Sequence, residues 1–97
     1  MTRVLCDDVL AADLGADRTL ALGEMGEAEV GVWGMQPGIE QGTETDEVFV
    51  VLAGRGSVTF EDGETIALRP GVAVRLRAGE RTTWTVSETI RKVYVAR

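Results

Sequence analysis

Residues 47–63 read Glu47-Val48-Phe49-Val50-Val51-Leu52-Ala53-Gly54-Arg55-Gly56-Ser57-Val58-Thr59-Phe60-Glu61-Asp62-Gly63. The unbroken apolar run 48–53 is far shorter than the ~20 residues of a membrane helix. Bounded by turn residues, it has the look of a strand buried on both faces, so residues 47–53 are expected to be the central strand. Gly54-Arg55-Gly56 is expected to end it. Ser57 to Glu61 then forms a second strand that stops at Asp62-Gly63, a pair whose tolerance of positive φ closes tight hairpins.

The same punctuation continues outward. Glu64 to Arg69 ends at Pro70-Gly71, and Val72 to Arg77 ends at Ala78-Gly79. Arg81 to Ser87 and Thr89 to Ala96 complete the series, and upstream Val30-Gly31-Val32-Trp33 stops before Pro37-Gly38. Within these runs apolar and polar residues alternate: Val72, Val74 and Leu76 against Ala73, Arg75 and Arg77, and Trp84 and Val86 against Thr83 and Thr85. A period of two means half-buried strands. Many short strands with evenly spaced turns predict an all-β sandwich or barrel. One helix is expected, over residues 7–15, with Asp7 or Asp8 as N-cap and Gly15 at the C-terminal stop. The expected organisation is a single domain over 1–97, with the helix first and the barrel over about 20–97.

Composition narrows the function classes. The 97 residues hold 16 acidic and 10 basic side chains and no histidine, a net charge of −6. An acidic chain is a poor nucleic-acid binder, which normally carries a basic footprint. Residues 1–64 carry 14 acids and 3 bases, whereas 65–97 carry 2 acids and 7 bases. The arginines Arg69, Arg75, Arg77 and Arg81 are taken as a solvated strand face. No charged leader with an apolar stretch opens the chain, so neither a signal peptide nor a membrane partner is expected. Cys6 is the single cysteine and has no histidine to activate it, which fits a reducing, cytoplasmic setting. Gly54-x-Gly56 links strand to strand and is not a phosphate loop. A chain of this size buries only roughly 60% of its unfolded surface, so pairing into a homodimer would help it.

Taken together, the chain resembles the cupin superfamily, whose fold is a small double-stranded β-helix, a jelly-roll barrel. The first cupin signature is Gly, five residues, His-x-His, three or four residues, Glu, six residues, Gly; Gly34, Glu47 and Gly54 stand at those intervals. In the second, Gly71 and Gly79 fit. The pattern Gly31-Val32-Trp33, Asp46-Glu47, Glu61-Asp62-Gly63, Pro70-Gly71, Trp84 and Arg91-Lys92-Val93-Tyr94-Val95 is similar to the short single-domain subfamily of the Cupin_3 or DUF861 kind, related to (S)-ureidoglycine aminohydrolase. The resemblance implies a ligand site inside the barrel. It also implies three His and one Glu around a divalent metal, and here the chain departs. The first two His positions fall on Glu40 and Gly42 (or Gln41 and Thr43) and the third on Thr82, which leaves Glu47 alone. Without imidazole a transition metal has weak purchase, so no metal cofactor is expected. The acidic group Glu40, Glu44, Asp46 and Glu47 is taken as a solvated loop.

The candidate ligand-binding residues are therefore Trp33, Glu47, Trp84, Lys92 and Tyr94. Glu47 shares a face with Phe49 and Val51, and Lys92 one with Ile90, Tyr94 and Ala96. Pointed inward, they would supply a carboxylate, an ammonium and a phenol, and the two indoles an apolar wall. The expected function is binding of a small polar metabolite. An enzyme acting on a small nitrogenous or ureide-like compound, with Glu47 as base and Lys92 as electrostatic stabiliser, is one alternative, and a dimerising scaffold is another.

Overall fold

The computed structural model describes residues 3–97 and contains seven strands: β1 (Thr19–Met25), β2 (Ala28–Met35), β3 (Gly38–Thr43), β4 (Glu47–Phe60), β5 (Thr65–Leu68), β6 (Ala73–Leu76) and β7 (Arg81–Ala96). Every pairing is antiparallel. Two long strands, β4 and β7, form the spine and pair with each other. On its other edge the first part of β4 takes β6 and the last part takes β5. The other edge of β7 takes β3 along its first part and β2 along its last, with β1 outermost. The β4–β7 register slips between Val51 and Gly56. Bulges bend a strand and increase its twist, so both spine strands turn there and the sheet folds back on itself.

The bend corrects two strand boundaries. Gly54-Arg55-Gly56 does not end a strand, and β4 runs straight through it. Gly54 holds φ +99, and a Cβ there would overlap the Thr89 carbonyl oxygen and lie 2.7 Å from Ile90 Cα. Only glycine allows β4 and β7 to approach so closely. Likewise Ser87-Glu88-Thr89 does not divide 81–96 into two strands. Asp62-Gly63 does close a hairpin, with Gly63 at φ +93 and its N–H donating to Phe60 O at 2.9 Å.

The interior is dry along the barrel. Val51, Val58, Leu76 and Ile90 have no exposed surface, and Phe49 and Leu68 have 1%. Burying side chains of this size contributes roughly 1.5–3 kcal/mol each. Strand β4 is central, being paired on both edges, but only its inner face is dry. Val48 and Val50 on its outer face are 47% and 38% exposed, and their neighbour Val95 is 40% exposed. Of the methionines, Met35 is buried and Met25 is 68% exposed.

The helix expected over 7–15 is absent. Asp8, Asp13 and Asp17 each accept the backbone N–H two residues on, at 3.0, 3.2 and 3.3 Å. Such local bonds compete with helical ones, and a nine-residue helix is marginal alone. The segment is instead a run of turns and bends lying against Gly34 of β2 and Arg91 of β7. Leu14 lies where a Cβ on Gly34 would sit, and Arg91 Nη1 donates to the carbonyls of Val9 (3.0 Å) and Ala12 (2.7 Å). Among the described residues no helix is long and apolar enough to cross a membrane.

Two glycine replacements separate close approach from backbone conformation. Gly63→Ala meets nothing within 4 Å and should lose only the left-handed preference, about 1–2 kcal/mol. Gly54→Ala should lose that and strain the β4–β7 contact as well, so urea unfolding should show a clearly larger loss. Equal losses would contradict the close approach at the bend.

Candidate functional site

Away from the bend, three rows of paired residues build the site. Trp33, Lys92 and Val51 lie side by side on β2, β7 and β4; Gly31, Tyr94 and Phe49 form the next row; Glu29, Ala96 and Glu47 the third. Alternation turns all of these inward. The opposing half-sheet contributes Trp84 and Thr82 from β7, and Glu40 and Gly42 from β3, where Glu40 pairs with Trp84 and Gly42 with Thr82. Trp84 closes on both Trp33 and Phe49, with ring centroids 5.2 and 5.5 Å apart.

All five residues singled out from the sequence line one cavity of about 330 Å³. Glu29, Glu40, Glu44 and Thr19 line it with them. Lys92 is not the solvent-facing lysine of an edge strand. Its side chain is 6% exposed and its Nζ lies 2.6 Å from Glu47 Oε2, itself on a side chain 12% exposed. The ammonium also sits over three ring faces, 4.3 Å from the Phe49 centroid, 4.6 Å from Trp33 and 4.8 Å from Trp84. Ring quadrupoles attract such a charge most when water is excluded. Burial pushes the Lys92 pKa down, against the opposing pull of Glu47 and then of Glu44.

Each neighbouring carboxylate also has a donor. Glu44 Oε2 accepts from Thr82 Oγ1 at 2.6 Å and from Trp84 Nε1 at 2.9 Å. Glu29 Oε2 accepts from the Tyr94 hydroxyl at 2.8 Å. Glu40 forms a two-pronged pair with Arg18, whose Nη2 donates to Oε1 at 2.9 Å. The Arg18 hydrogen bond holds the Glu40 carboxyl below its usual range, and Arg18 also lies 5.4 Å from the Trp33 centroid. Asp46 turns outward to Arg75 and the Ala78 N–H, which lower its pKa, the Ala78 bond most. The expected solvated loop is therefore a set of specifically bonded acids, two of them in strands.

The sequence reading missed Glu29, Glu44 and Arg18, whose roles depend on strand pairing and on the β3–β4 connection. It also passed over Gly31. A Cβ there would overlap the Tyr94 hydroxyl and lie 2.8 Å from Cε2, so the phenol needs a glycine opposite it. A glycine inside a strand pattern was the available signal.

The metal ligands that the family resemblance implies do not fit. The three imidazole positions carry Glu40, Gly42 and Thr82 (or Gln41 and Thr43 for the first two), and the remaining ligand, Glu47, is bound to an ammonium at contact distance. Among the described residues no group of three or more His, Cys, Asp or Glu is arranged to hold a metal ion.

These features define a small β-barrel with an aromatic-walled, ion-paired cavity at one end. The chain belongs to the Cupin_3 family, the EutQ-like cupin domain, whose model matches residues 22–94. Among curated proteins none matches the sequence. Solved structures do. A protein of unknown function from Rhizobium leguminosarum bv. viciae is 27% identical, with 98% of this chain and 97% of that one covered and a TM-score of 0.79. A DUF861 family protein from Thermotoga maritima is 30% identical over 68% of this chain and 76% of that one, with a TM-score of 0.63. A protein described as ethanolamine utilization protein Q, from Salmonella typhimurium, is 26% identical over 71% of this chain, with a TM-score of 0.63. The chain spans 56% of the length of that last protein.

Two measurements test this geometry. Lys92→Met leaves the Glu47 carboxylate buried without its partner and should destabilise the fold by about 3–5 kcal/mol, whereas the double change Lys92→Met with Glu47→Leu should recover much of that loss. Additive losses in the cycle would mean that the two groups do not interact.

Tyr94 is the single tyrosine, so its ionisation can be read from tyrosinate absorbance. Burial raises its pKa above the ordinary value of 10.0, and Glu29 adds to the effect. From about pH 10 upward the unfolded phenol loses its proton while the folded one keeps it, so stability falls as pH rises. Lys92 acts oppositely below 10.5: with a depressed folded pKa it adds stability as pH rises towards that value. Tyrosinate should therefore appear late in the native protein, and earlier in Glu29→Gln. Titration at the ordinary value would show that the phenol is not enclosed.

Proposed function

We propose that this cupin domain binds a small polar metabolite in the cavity between its half-sheets. One observation carries the reading: Trp33, Glu47, Trp84, Lys92 and Tyr94, spread over three strands, converge on a single space of about 330 Å³. That volume lies at the small end of ordinary ligand sites, which combine apolar walls with a few fixed polar groups. Indole faces would enclose the ligand, and Tyr94 and the carboxylates would orient it. The ammonium–carboxylate pair at the floor is preorganised by β-sheet registry, so little side-chain freedom is lost on binding.

Binding is favoured over the hydrolytic alternative, which rests on a sequence resemblance to ureidoglycine aminohydrolase alone. Glu47 already accepts from Lys92, which leaves that oxygen engaged and makes the residue a poor resident base. Water attack on an amine-bearing carbon without a metal-bound hydroxide also needs several kcal/mol of stabilisation from other groups.

A thermal-shift screen over polar metabolites tests the proposal. A ligand at 100 times its Kd adds ~2.7 kcal/mol, which for a domain of this size raises Tm by roughly 10 °C or more. Tyr94→Phe and Glu44→Gln should reduce the shift of any true ligand. A shift that persists unchanged in both variants would place binding elsewhere, and no shift from any compound would remove the proposal.

A further inference from the structure

The charge inside the cavity is unequal. Four carboxylates line it, from Glu29, Glu40, Glu44 and Glu47, against the single ammonium of Lys92. Lys92 is matched by Glu47 at 2.6 Å, and Glu40 is matched by Arg18. Among the described residues Glu29 and Glu44 have only neutral donors: the Tyr94 hydroxyl for one, the Thr82 hydroxyl and the Trp84 indole N–H for the other. Among the described residues both basic groups are thus committed to internal pairs, and Glu29 and Glu44 have no ion-pair partner of their own, although the Lys92 ammonium also attracts Glu44. In each, the donors reach Oε2, so the second oxygen remains for an incoming group.

A separate observation points the same way. The lining already holds an organic cation, since the ammonium of Lys92 is seated over the faces of Trp33, Phe49 and Trp84. Indole faces attract cations and repel anions. A partly enclosed cleft with one sign of excess charge concentrates ions of the other sign. An anionic ligand would meet both obstacles, and would have to break an internal pair to reach a positive group.

We infer that the ligand of this cavity is a small organic cation of the ammonium class, held by the carboxylates of Glu29 and Glu44 beside the indoles of Trp33 and Trp84, whose Lys92-facing sides stay occupied by the internal pair. The inference rests on the cavity being a ligand site, and adds to it the sign of the ligand's charge.

The test uses three probes of one shape. Choline carries a trimethylammonium head. In tert-butylethanol an uncharged tert-butyl group replaces that head, and tert-butylacetate carries the same tert-butyl group with a carboxylate. The two tryptophans of the chain, Trp33 and Trp84, both line the cavity, so intrinsic fluorescence reports its occupancy. Choline should change the emission saturably, with an affinity at least about tenfold above that of either partner. Glu29→Gln and Glu44→Gln, which keep their acceptor oxygens, should each weaken choline by about two- to fivefold, and more than they weaken the neutral probe. If the neutral or anionic probe binds as well as choline, the inference is overturned while the cavity stands as a ligand site. If no probe acts although the metabolite screen finds a ligand sensitive to Tyr94→Phe, the cation class alone falls. If neither experiment finds a ligand, both readings fall.

Discussion

The contact between the Lys92 ammonium and the Glu47 carboxylate, closed off by three aromatic rings, is the interaction on which the site end of this barrel depends. Taking two charges out of water costs several kcal/mol each, and their attraction repays that only with close contact and further polar support. Here the contact is 2.6 Å, and the support comes from ring faces on both half-sheets. The pair also fixes registry. Lys92 sits beside Trp33 and Val51, and Glu47 beside Ala96. A one-residue slip of β4 against β7 would turn Glu47 and Phe49 to the outer face and leave the Lys92 ammonium buried without its partner.

In the family pattern a metal ion, gripped by imidazoles and one carboxylate, would put positive charge at the centre of the barrel. In this chain the carboxylate is retained at Glu47 and a lysine side chain supplies the charge. An ammonium is a monovalent donor of hydrogen bonds with no vacant coordination position. It can neutralise, orient and polarise, and it cannot activate a bound water as a Lewis acid does.

Much of the barrel was legible because its strands obey a period of two. Counting alternate residues grouped Glu47 with Phe49 and Val51, and Lys92 with Ile90 and Tyr94, but left open which face was the inner one; the family likeness favoured the inward choice for Lys92 and Tyr94 and marked Trp84 as a wall of the pocket. What was missed has physical causes. Strand β3 is exposed along its whole length, so no apolar alternation marks it. Glycine signals both turns and close backbone contacts, and at Gly54 the contact prevailed. Aspartate signals both helix caps and local turns, and at Asp8, Asp13 and Asp17 the local turn won. Glu29 and Glu44 gained their meaning only from what the fold set opposite them, namely Tyr94, Thr82 and Trp84.

Lys92 is the chain's one lysine, and it is 4% exposed. The folded barrel therefore presents no ε-amine to solvent. Acylating labels aimed at lysine, and proteases that cut after it, meet this side chain freely only when the Lys92–Glu47 pair breaks or the barrel opens. Reactivity at this residue is thus a gauge of how often either happens.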